Sequence, residues 1–305
     1  MRATWRKIAG AALAIVLLAF MIRALRSGLA DLGSYELDFS ALRIAGAFGV
    51  FAVLFPVYGA LWMYIIARFG YSVPYGRSLK VWLLSQAGRY VPGKVWFALG
   101  RMYLNEREGV PKAVTTVATA LELVLVLASS VVVFAVTWAI TGSAAGGPYI
   151  WLVLVAPVAV AAVHPRVIAA VLKRFRKGDT RLDLRYRDIL RLLGAYCLCW
   201  CLYGVGFYLA STSVRLTGSG APSQGPVGLN HLTEMIGINA LAWTVGFVSI
   251  ITPAGLGVRE GVAFSLLSKI LPRPYPSLIP LVVRVWVTIA ELVSIGIAAA
   301  ARGKR

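Results

Sequence analysis

The sequence predicts an all-α polytopic membrane protein, built as an inverted repeat with about six full spans and two re-entrant hairpins. Of the 305 residues, 59% are hydrophobic and 14% are charged, a composition typical of integral membrane proteins. No segment has the alternating pattern of barrel strands, so the spans are predicted to be helices. Two apolar segments combine proline, glycine and charge, which is typical of helices that break inside a membrane.

Six apolar segments are predicted to cross the bilayer, which requires about 20 residues per helix. They are residues 8–22, 42–67, 113–141, 148–163, 189–213 and 279–301. The first segment also fits a signal peptide with a weak cleavage site at 28–30. We expect it to remain as an uncleaved span, because Arg23 and Arg26 follow it and the repeat described below requires it.

Basic residues outnumber acidic ones by 31 to 12, which gives a net charge of +19. In a membrane protein this excess marks cytoplasmic loops and contacts with anionic lipid, so no nucleic-acid partner is expected. The positive-inside rule predicts a multi-pass protein of the cell membrane with both termini in the cytoplasm. The predicted cytoplasmic loops are 68–80 and 165–188, and the predicted external loops are 31–38, 142–147 and 214–230.

The topology constrains the two interrupted segments. Residues 79–104 must begin and end in the cytoplasm, yet they are too few for two crossings and are predicted to form a re-entrant hairpin. Residues 231–271 must begin and end outside, as either a deep re-entrant pair or two crossings. The single membrane domain 1–305 then has two halves, 1–141 and 142–305, each with two spans, a broken hairpin and a third span. An odd number of crossings inverts the second half relative to the first.

The candidate binding residues lie at the two breaks or carry charge in the neighbouring apolar segments. Proline cannot continue a helix and glycine accepts conformations that other residues avoid, so both indicate the break itself. An ionised side chain at mid-bilayer costs at least about 2.5–3.5 kcal/mol, so each one needs a partner. The predicted substrate-binding set is Arg89, Pro92, Gly93, Lys94, Arg101, Glu122, Pro253, Gly255, Gly257, Arg259, Glu260, Arg284 and Glu291.

The charges of this set allow two interpretations. Five cations accompany three anions, and the excess of two cations suits a substrate that carries phosphate. Helix N-termini near Gly93 and Gly255 would favour the same anion. Alternatively, the charges form structural ion pairs. The pairs expected in that case are Glu122 with Arg89 or Arg101, and Glu291 with Arg284 or Arg259.

Two motifs resemble a known family. The stretches GRYVPGKV, at 88–95, and TPAGLGVREG, at 252–261, are each followed by an apolar span with one glutamate. This pair is similar to the lysylphosphatidylglycerol synthase transmembrane (flippase-like) family, whose best-known member is the membrane half of the multiple peptide resistance factor. The resemblance covers nearly the whole chain and implies movement of a lipid, or a lipid-linked head group, between leaflets. Bifunctional members carry a soluble aminoacyl-transfer domain after the membrane domain. This sequence stops at Arg305, so the synthase activity is not expected.

We therefore predict an integral membrane lipid translocase and not an enzyme. Its substrate would be an anionic phospholipid or a polyprenyl-phosphate-linked lipid of the bilayer. No cofactor or metal site is expected, because His164 and His231 are isolated and the three cysteines lack acidic or histidine neighbours. Two alternatives stay open: an intramembrane lipid head-group or glycosyl transferase, and a membrane partner subunit that does not transport. A homo-oligomer and a separate lipid-modifying enzyme stay open as partners.

Overall fold

The computed structural model describes residues 36–91, 95–142, 185–217, 227–249 and 255–301. These residues form two short strands and eight α-helices. The elements are β1 (Glu36–Phe39), α1 (Ala41–Arg68), α2 (Tyr75–Gln86), α3 (Trp96–Glu106), α4 (Lys112–Thr141), α5 (Tyr186–Thr212), β2 (Val214–Thr217), α6 (Leu232–Val248), α7 (Val258–Leu267) and α8 (Tyr275–Ala300). The predicted spans 8–22 and 148–163 lie outside the described residues.

Four helices, α1, α4, α5 and α8, are long and apolar enough to cross a membrane. With 26 to 30 residues each, they rise about 39–45 Å at 1.5 Å per residue, which exceeds a hydrocarbon core of about 30 Å. They correspond to four of the predicted spans, and their ends differ from the predicted ends by a few residues. The helical membrane architecture predicted from composition is therefore confirmed.

Both interrupted segments contain two short α-helices in place of one continuous helix. In the first, α2 ends at Gln86 and continues as a 3-10 turn, Ala87–Tyr90, before α3 begins at Trp96. In the second, α6 ends at Val248 and α7 begins at Val258. Four predicted break residues lie outside the described part of the chain: Pro92, Gly93, Lys94 and Pro253. The helix is nevertheless interrupted in both predicted places.

Two short strands accompany the helices and are not predicted from the sequence. β1 pairs with β2 in antiparallel fashion, so that Glu36 faces Thr217. Each strand has only four residues, too few to show a clear alternation of apolar and polar residues. The strands therefore cannot be recognised from the sequence pattern. Their hydrogen bonds satisfy backbone groups at one end of the bundle. They also bring residues 36–39 and 214–217 to the same side, which agrees with the positive-inside assignment. We call this side the strand end.

At the opposite end of the bundle, polar contacts join the ends of several helices. Arg68 forms an ion pair with Asp188 at 3.2 Å. Lys80 Nζ donates a hydrogen bond to the carbonyl oxygen of Ala301 at 2.7 Å. The contacts join the turn after α1, the start of α5 and the end of α8, all of which the positive-inside rule assigns to one side. We call this side the basic end.

Glycine allows the short helices to pack closely on the long ones. A Cβ atom at Gly59 would lie 2.6 Å from Leu79, and one at Gly204 would lie 2.5 Å from Ile236. The first contact holds α2 against α1, and the second holds α6 against α5. α6 also packs against α4 and α7. The short helices are therefore part of the bundle interior.

We expect single cysteines at the two ends of the bundle to react from opposite sides of the membrane. In a cysteine-free background, Asp38→Cys and Arg215→Cys should react with an impermeant maleimide in intact cells, because both residues lie on the paired strands. Glu106→Cys and Arg187→Cys lie at the basic end and should react only after the membrane is opened. Labelling of Glu106→Cys and Arg187→Cys from different sides would contradict this topology.

Candidate functional site

Two adjoining cavities lie at the centre of the bundle and are lined by residues from both interrupted segments. They share Arg89, Phe97, Trp243, Phe247 and Glu291. Their volumes are about 40 and 70 Å³, enough for a few water molecules and too small for a lipid head group. The described conformation is therefore closed around a charged centre. We refer to the two cavities together as the central cavity.

The first ion pair of the central cavity joins α3 to α4. Arg101 Nη1 donates to Glu122 Oε2, and Arg101 Nε donates to Ser85 Oγ at 3.1 Å. The other oxygen of Glu122 accepts from Trp82 Nε1 at 2.9 Å. The guanidinium of Arg101, which is 1% exposed, lies 4.4 Å from the ring centre of Trp62. Of the two partners predicted for Glu122, Arg101 is the one found, and the pair has the additional hydrogen bonds that a buried pair needs.

The second ion pair ties the first break to α8. Arg89 Nη2 donates to Glu291 Oε1 at 2.9 Å, and the hydroxyl of Tyr90 donates to the other carboxylate oxygen. Two consecutive residues of the 3-10 turn thus bind one carboxylate. The predicted pairing of Glu291 with Arg284 or Arg259 is wrong. The turn after α2 brings Arg89 to α8, whereas Arg284 and Arg259 have other partners.

The third carboxylate caps its own helix. Glu260 Oε2 accepts from the backbone N–H of Gly257 at 2.7 Å, at the start of α7. Gly257 has a φ of +82°, a conformation that glycine adopts without steric cost. The other oxygen of Glu260 lies 3.7 Å from Arg284 Nε. The positive N-terminus of α7, predicted to attract a substrate anion, is therefore compensated by the carboxylate of Glu260.

Glycine brings the second break into contact with α6. Gly255 has a φ of +73°, and a Cβ atom there would lie 2.7 Å from the carbonyl oxygen of Gly246. A Cβ atom at Gly246 would in turn lie 2.9 Å from the Cβ of Arg259. The backbone of the second break therefore lies directly against the backbone of α6. It holds Arg259 against α6 at the wall of the central cavity.

Arg259 differs from the other arginines of the central cavity because its partners are neutral. Its Nη2 donates to the hydroxyl of Tyr203 and to Oδ1 of Asn239, each at 3.1 Å. Its guanidinium carbon lies 5.5 Å from the ring centre of Tyr203. The residue is only 8% exposed. Within the described parts of the chain, no carboxylate lies at ion-pair distance from Arg259, and its Nε and Nη1 make no hydrogen bond.

The described charges in and around the central cavity do not balance. The arginines are Arg89, Arg101, Arg259 and Arg284, and the glutamates are Glu122, Glu260 and Glu291. Each glutamate pairs with a different arginine, so Arg259 is the surplus cation of this set. The full predicted set has an excess of two cations because it includes Lys94, which lies outside the described residues. An excess of one cation is found among the described members.

Four polar residues of the site escape the sequence analysis: Trp82, Tyr90, Tyr203 and Asn239. Tyrosine and tryptophan are common in membrane proteins, so their presence in a span does not by itself indicate a buried polar contact. Asn239 does carry a signal, because it is an amide within an otherwise apolar stretch of α6. A buried amide requires a hydrogen-bond partner, and here Arg259 supplies one.

Metal ligation has no candidate in the parts of the chain that the structure describes. No group of three or more histidine, cysteine, aspartate or glutamate residues there could hold a metal ion. Cys197, Cys199 and Cys201 are free thiols on α5. The chemistry of the described site is therefore that of arginine, carboxylate and tyrosine.

Comparison with known proteins gives one family match. The model of the lysylphosphatidylglycerol synthase TM region matches residues 7–290. The matched range contains both helix breaks, and Glu291 is the first residue beyond it. No curated protein matches the chain.

We expect loss of Arg101 to destabilise the protein and removal of both partners to restore most of the stability. Arg101→Met leaves Glu122 buried without its cation, which should lower the free energy of unfolding by about 3–5 kcal/mol. Adding Glu122→Leu removes the stranded charge and should recover more than half of this loss. Unfolding in detergent, followed by intrinsic fluorescence, measures both effects.

Arg191→Met is the matched control for Arg101→Met, because Arg191 has an exposed side chain 3.8 Å from Asp188 and should contribute little. A double variant as unstable as Arg101→Met alone would show that the pair is not the source of the stability.

Proposed function

Since the chain belongs to the lysylphosphatidylglycerol synthase transmembrane family, we propose that it is an integral membrane lipid translocase. Its substrate is an anionic or phosphate-bearing lipid, or a lipid-linked head group, which it moves between leaflets. The observation that carries this proposal is the surplus cation at Arg259, which lies in the bundle interior with neutral partners. The phosphate of the substrate is the anion that would complete its coordination.

The energetics of burial support a ligand at Arg259. Removing a cation from water has a penalty of several kcal/mol, and neutral hydrogen bonds offset only part of it. Both described hydrogen bonds of Arg259 use Nη2, so the N–H groups of Nε and Nη1 remain for a ligand in the central cavity. These N–H groups carry part of the guanidinium charge, so each can donate a charge-assisted hydrogen bond to a phosphate oxygen.

Two neighbouring arginines extend the site. Arg89 and Arg284 line the same cavity as Arg259, although each is already near a glutamate. A phosphate bound to Arg259 would compete with Glu291 for Arg89, whose side chain is 22% exposed. Trp243 and Phe247 provide apolar surface on the same walls for the part of the lipid next to the phosphate. The small volume of the central cavity implies that the bundle must open before a head group enters.

We further propose that the two pairs of short helices are the re-entrant hairpins of an inverted repeat. α2 and α3 have 12 and 11 residues and rise about 17–18 Å each, too little to cross a core of about 30 Å. Arg89 follows α2, Arg259 lies in the first turn of α7, and both line the central cavity. Hairpins entering from opposite sides would let each side of the membrane reach the same arginines in turn.

We expect Arg259→Ala to slow the movement of an anionic phospholipid without destabilising the protein. Loss of charge-assisted hydrogen bonds worth about 1.5–3 kcal/mol should reduce the rate roughly tenfold to a hundredfold. Arg259→Lys should restore it only partly, because an ammonium keeps the charge and loses the planar set of guanidinium donors. The measurement is movement of fluorescent phosphatidylglycerol in proteoliposomes that contain only this protein.

Arg43→Ala is the control for this test, because Arg43 donates to the carbonyl oxygen of Thr212 at 2.6 Å and does not line the central cavity. The melting temperature separates a functional role from a structural one. Arg259→Ala should change it little, because the loss of the hydrogen bonds to Tyr203 and Asn239 is offset by the removal of a buried cation that has no acidic partner. Normal lipid movement in Arg259→Ala, or no movement in the unmodified protein, would rule out the proposed function.

We expect continuous helix at either break to impair lipid movement more than folding. Pro253→Ala, and Pro92→Ala combined with Gly93→Ala, remove the residues that oppose helical backbone in the two segments. In both variants the rate of lipid movement should fall by at least about tenfold, and the melting temperature should change little. Pro111→Ala, in the turn before α4, is the control. Normal movement in both break variants would mean that the re-entrant geometry is unnecessary.

A further inference from the structure

A separate groove opens on the side of the bundle at the basic end, with a volume of about 590 Å³. Its walls come from α1, α2 and α8 and are largely apolar, with Phe55, Leu83, Ile297 and Ala298 among them. A space of this size accepts a substantial part of a lipid. Because α1 and α8 are candidate membrane spans, we expect the opening between them to lie within the bilayer. An acyl chain would fill such a groove more favourably than water.

The groove is about one leaflet deep. Its lining on α2 extends from Pro74 to Leu83, a rise of about 14 Å at 1.5 Å per residue. On α8 it extends from Ser294 to Ala301, which follows the last helical residue. Half of the hydrocarbon core is about 15 Å thick. The groove therefore extends from the basic end over about the depth of one leaflet, and its lining on α1, Ala52 to Pro56, lies near the middle of that helix.

Two cations lie at the level where the groove meets the membrane surface. Arg77 and Lys80, both on α2, line the groove. Arg77 pairs with Glu108 at 3.3 Å, and its side chain is 54% exposed. Lys80 donates to the carbonyl oxygen of Ala301, and none of the described carboxylates pairs with it. The mouth thus has a net positive charge, which attracts an anionic head group and does not favour a zwitterionic one.

The inner wall of the groove is also the wall of the central cavity. Phe55 lines both spaces. Its ring centre lies 6.4 Å from that of Trp82, which donates to Glu122 inside the central cavity. Leu83, the residue after Trp82, lines the groove. A single layer of side chains therefore separates the membrane-facing groove from the charged centre.

We propose that this groove binds an anionic glycerophospholipid from the leaflet at the basic end and is the lateral entrance to the central cavity. The phosphate lies at Arg77 and Lys80, and an acyl chain lies along the apolar wall towards Phe55. The entrance role rests on the proposed translocase function, whereas the binding site itself does not. The binding measurement below therefore tests the site independently of transport.

The test compares two substitutions at adjacent exposed positions on α1. Ala52 lines the groove, and Val53 does not. Ala52→Trp should fill the groove and weaken binding of phosphatidylglycerol at least tenfold, while Val53→Trp should bind it like the unmodified protein. Native mass spectrometry of the detergent-purified protein, titrated with phosphatidylglycerol or phosphatidylcholine, measures the bound lipid. Both positions are exposed, so neither variant depends on repacking of the core.

Charge provides a second variant that leaves the groove open. Arg77→Gln combined with Lys80→Gln should weaken phosphatidylglycerol binding roughly fivefold for each lost cation and leave phosphatidylcholine binding unchanged. Equal binding of phosphatidylglycerol by Ala52→Trp and Val53→Trp would overturn the site. Normal lipid movement in Ala52→Trp, after loss of this bound lipid, would overturn the entrance role. Arg259→Ala should keep the groove lipid, so failure at the groove and failure at the central cavity are distinguishable.

Discussion

The pairing of buried charge determines how the short helices of this protein are held. Each of three ion pairs joins a different pair of elements: Arg101 with Glu122 links α3 to α4, Arg89 with Glu291 links the 3-10 turn to α8, and Glu260 with Arg284 links α7 to α8. Helices as short as α3 and α7 have little apolar area to hold them in a bundle. Separating any of these pairs would expose charge to a low-dielectric interior, so the pairs fix the broken segments more firmly than apolar packing alone.

Backbone geometry prepares the same centre. Gly255 lies against Gly246, and Gly88 lies against the backbone of Phe97, where a Cβ atom would be 2.4 Å from the amide nitrogen. Each break can therefore fold back onto its own helix pair without a side chain in between. This compactness brings Arg89 and Arg259, which are far apart in sequence, to one cavity. Larger residues at these glycines would push the arginines outward and separate the charges.

The sequence predicts the long helices, the two interruptions and the charged set, because hydropathy and helix-breaking residues are local properties. It does not predict which charges meet. Glu291 pairs with Arg89, which lies 202 residues earlier in the sequence. Arg259 donates hydrogen bonds to Tyr203 and Asn239 on two other helices. The cap that Glu260 forms on Gly257 is local and could be read from their three-residue spacing. The strand pair needs long-range register, which a single sequence does not contain.

The charge imbalance at the centre has a consequence for how a lipid carrier could be coupled to its cargo. With a singly charged phosphodiester bound, the four described arginines would face four negative charges, and the described charges would balance. Without it, opening or closing the bundle moves an uncompensated cation through a low-dielectric region, which is costly. The loaded protein would therefore change conformation more readily than the empty one. In this way, the neutral partners of Arg259 would make movement of the helices depend on the presence of an anionic lipid.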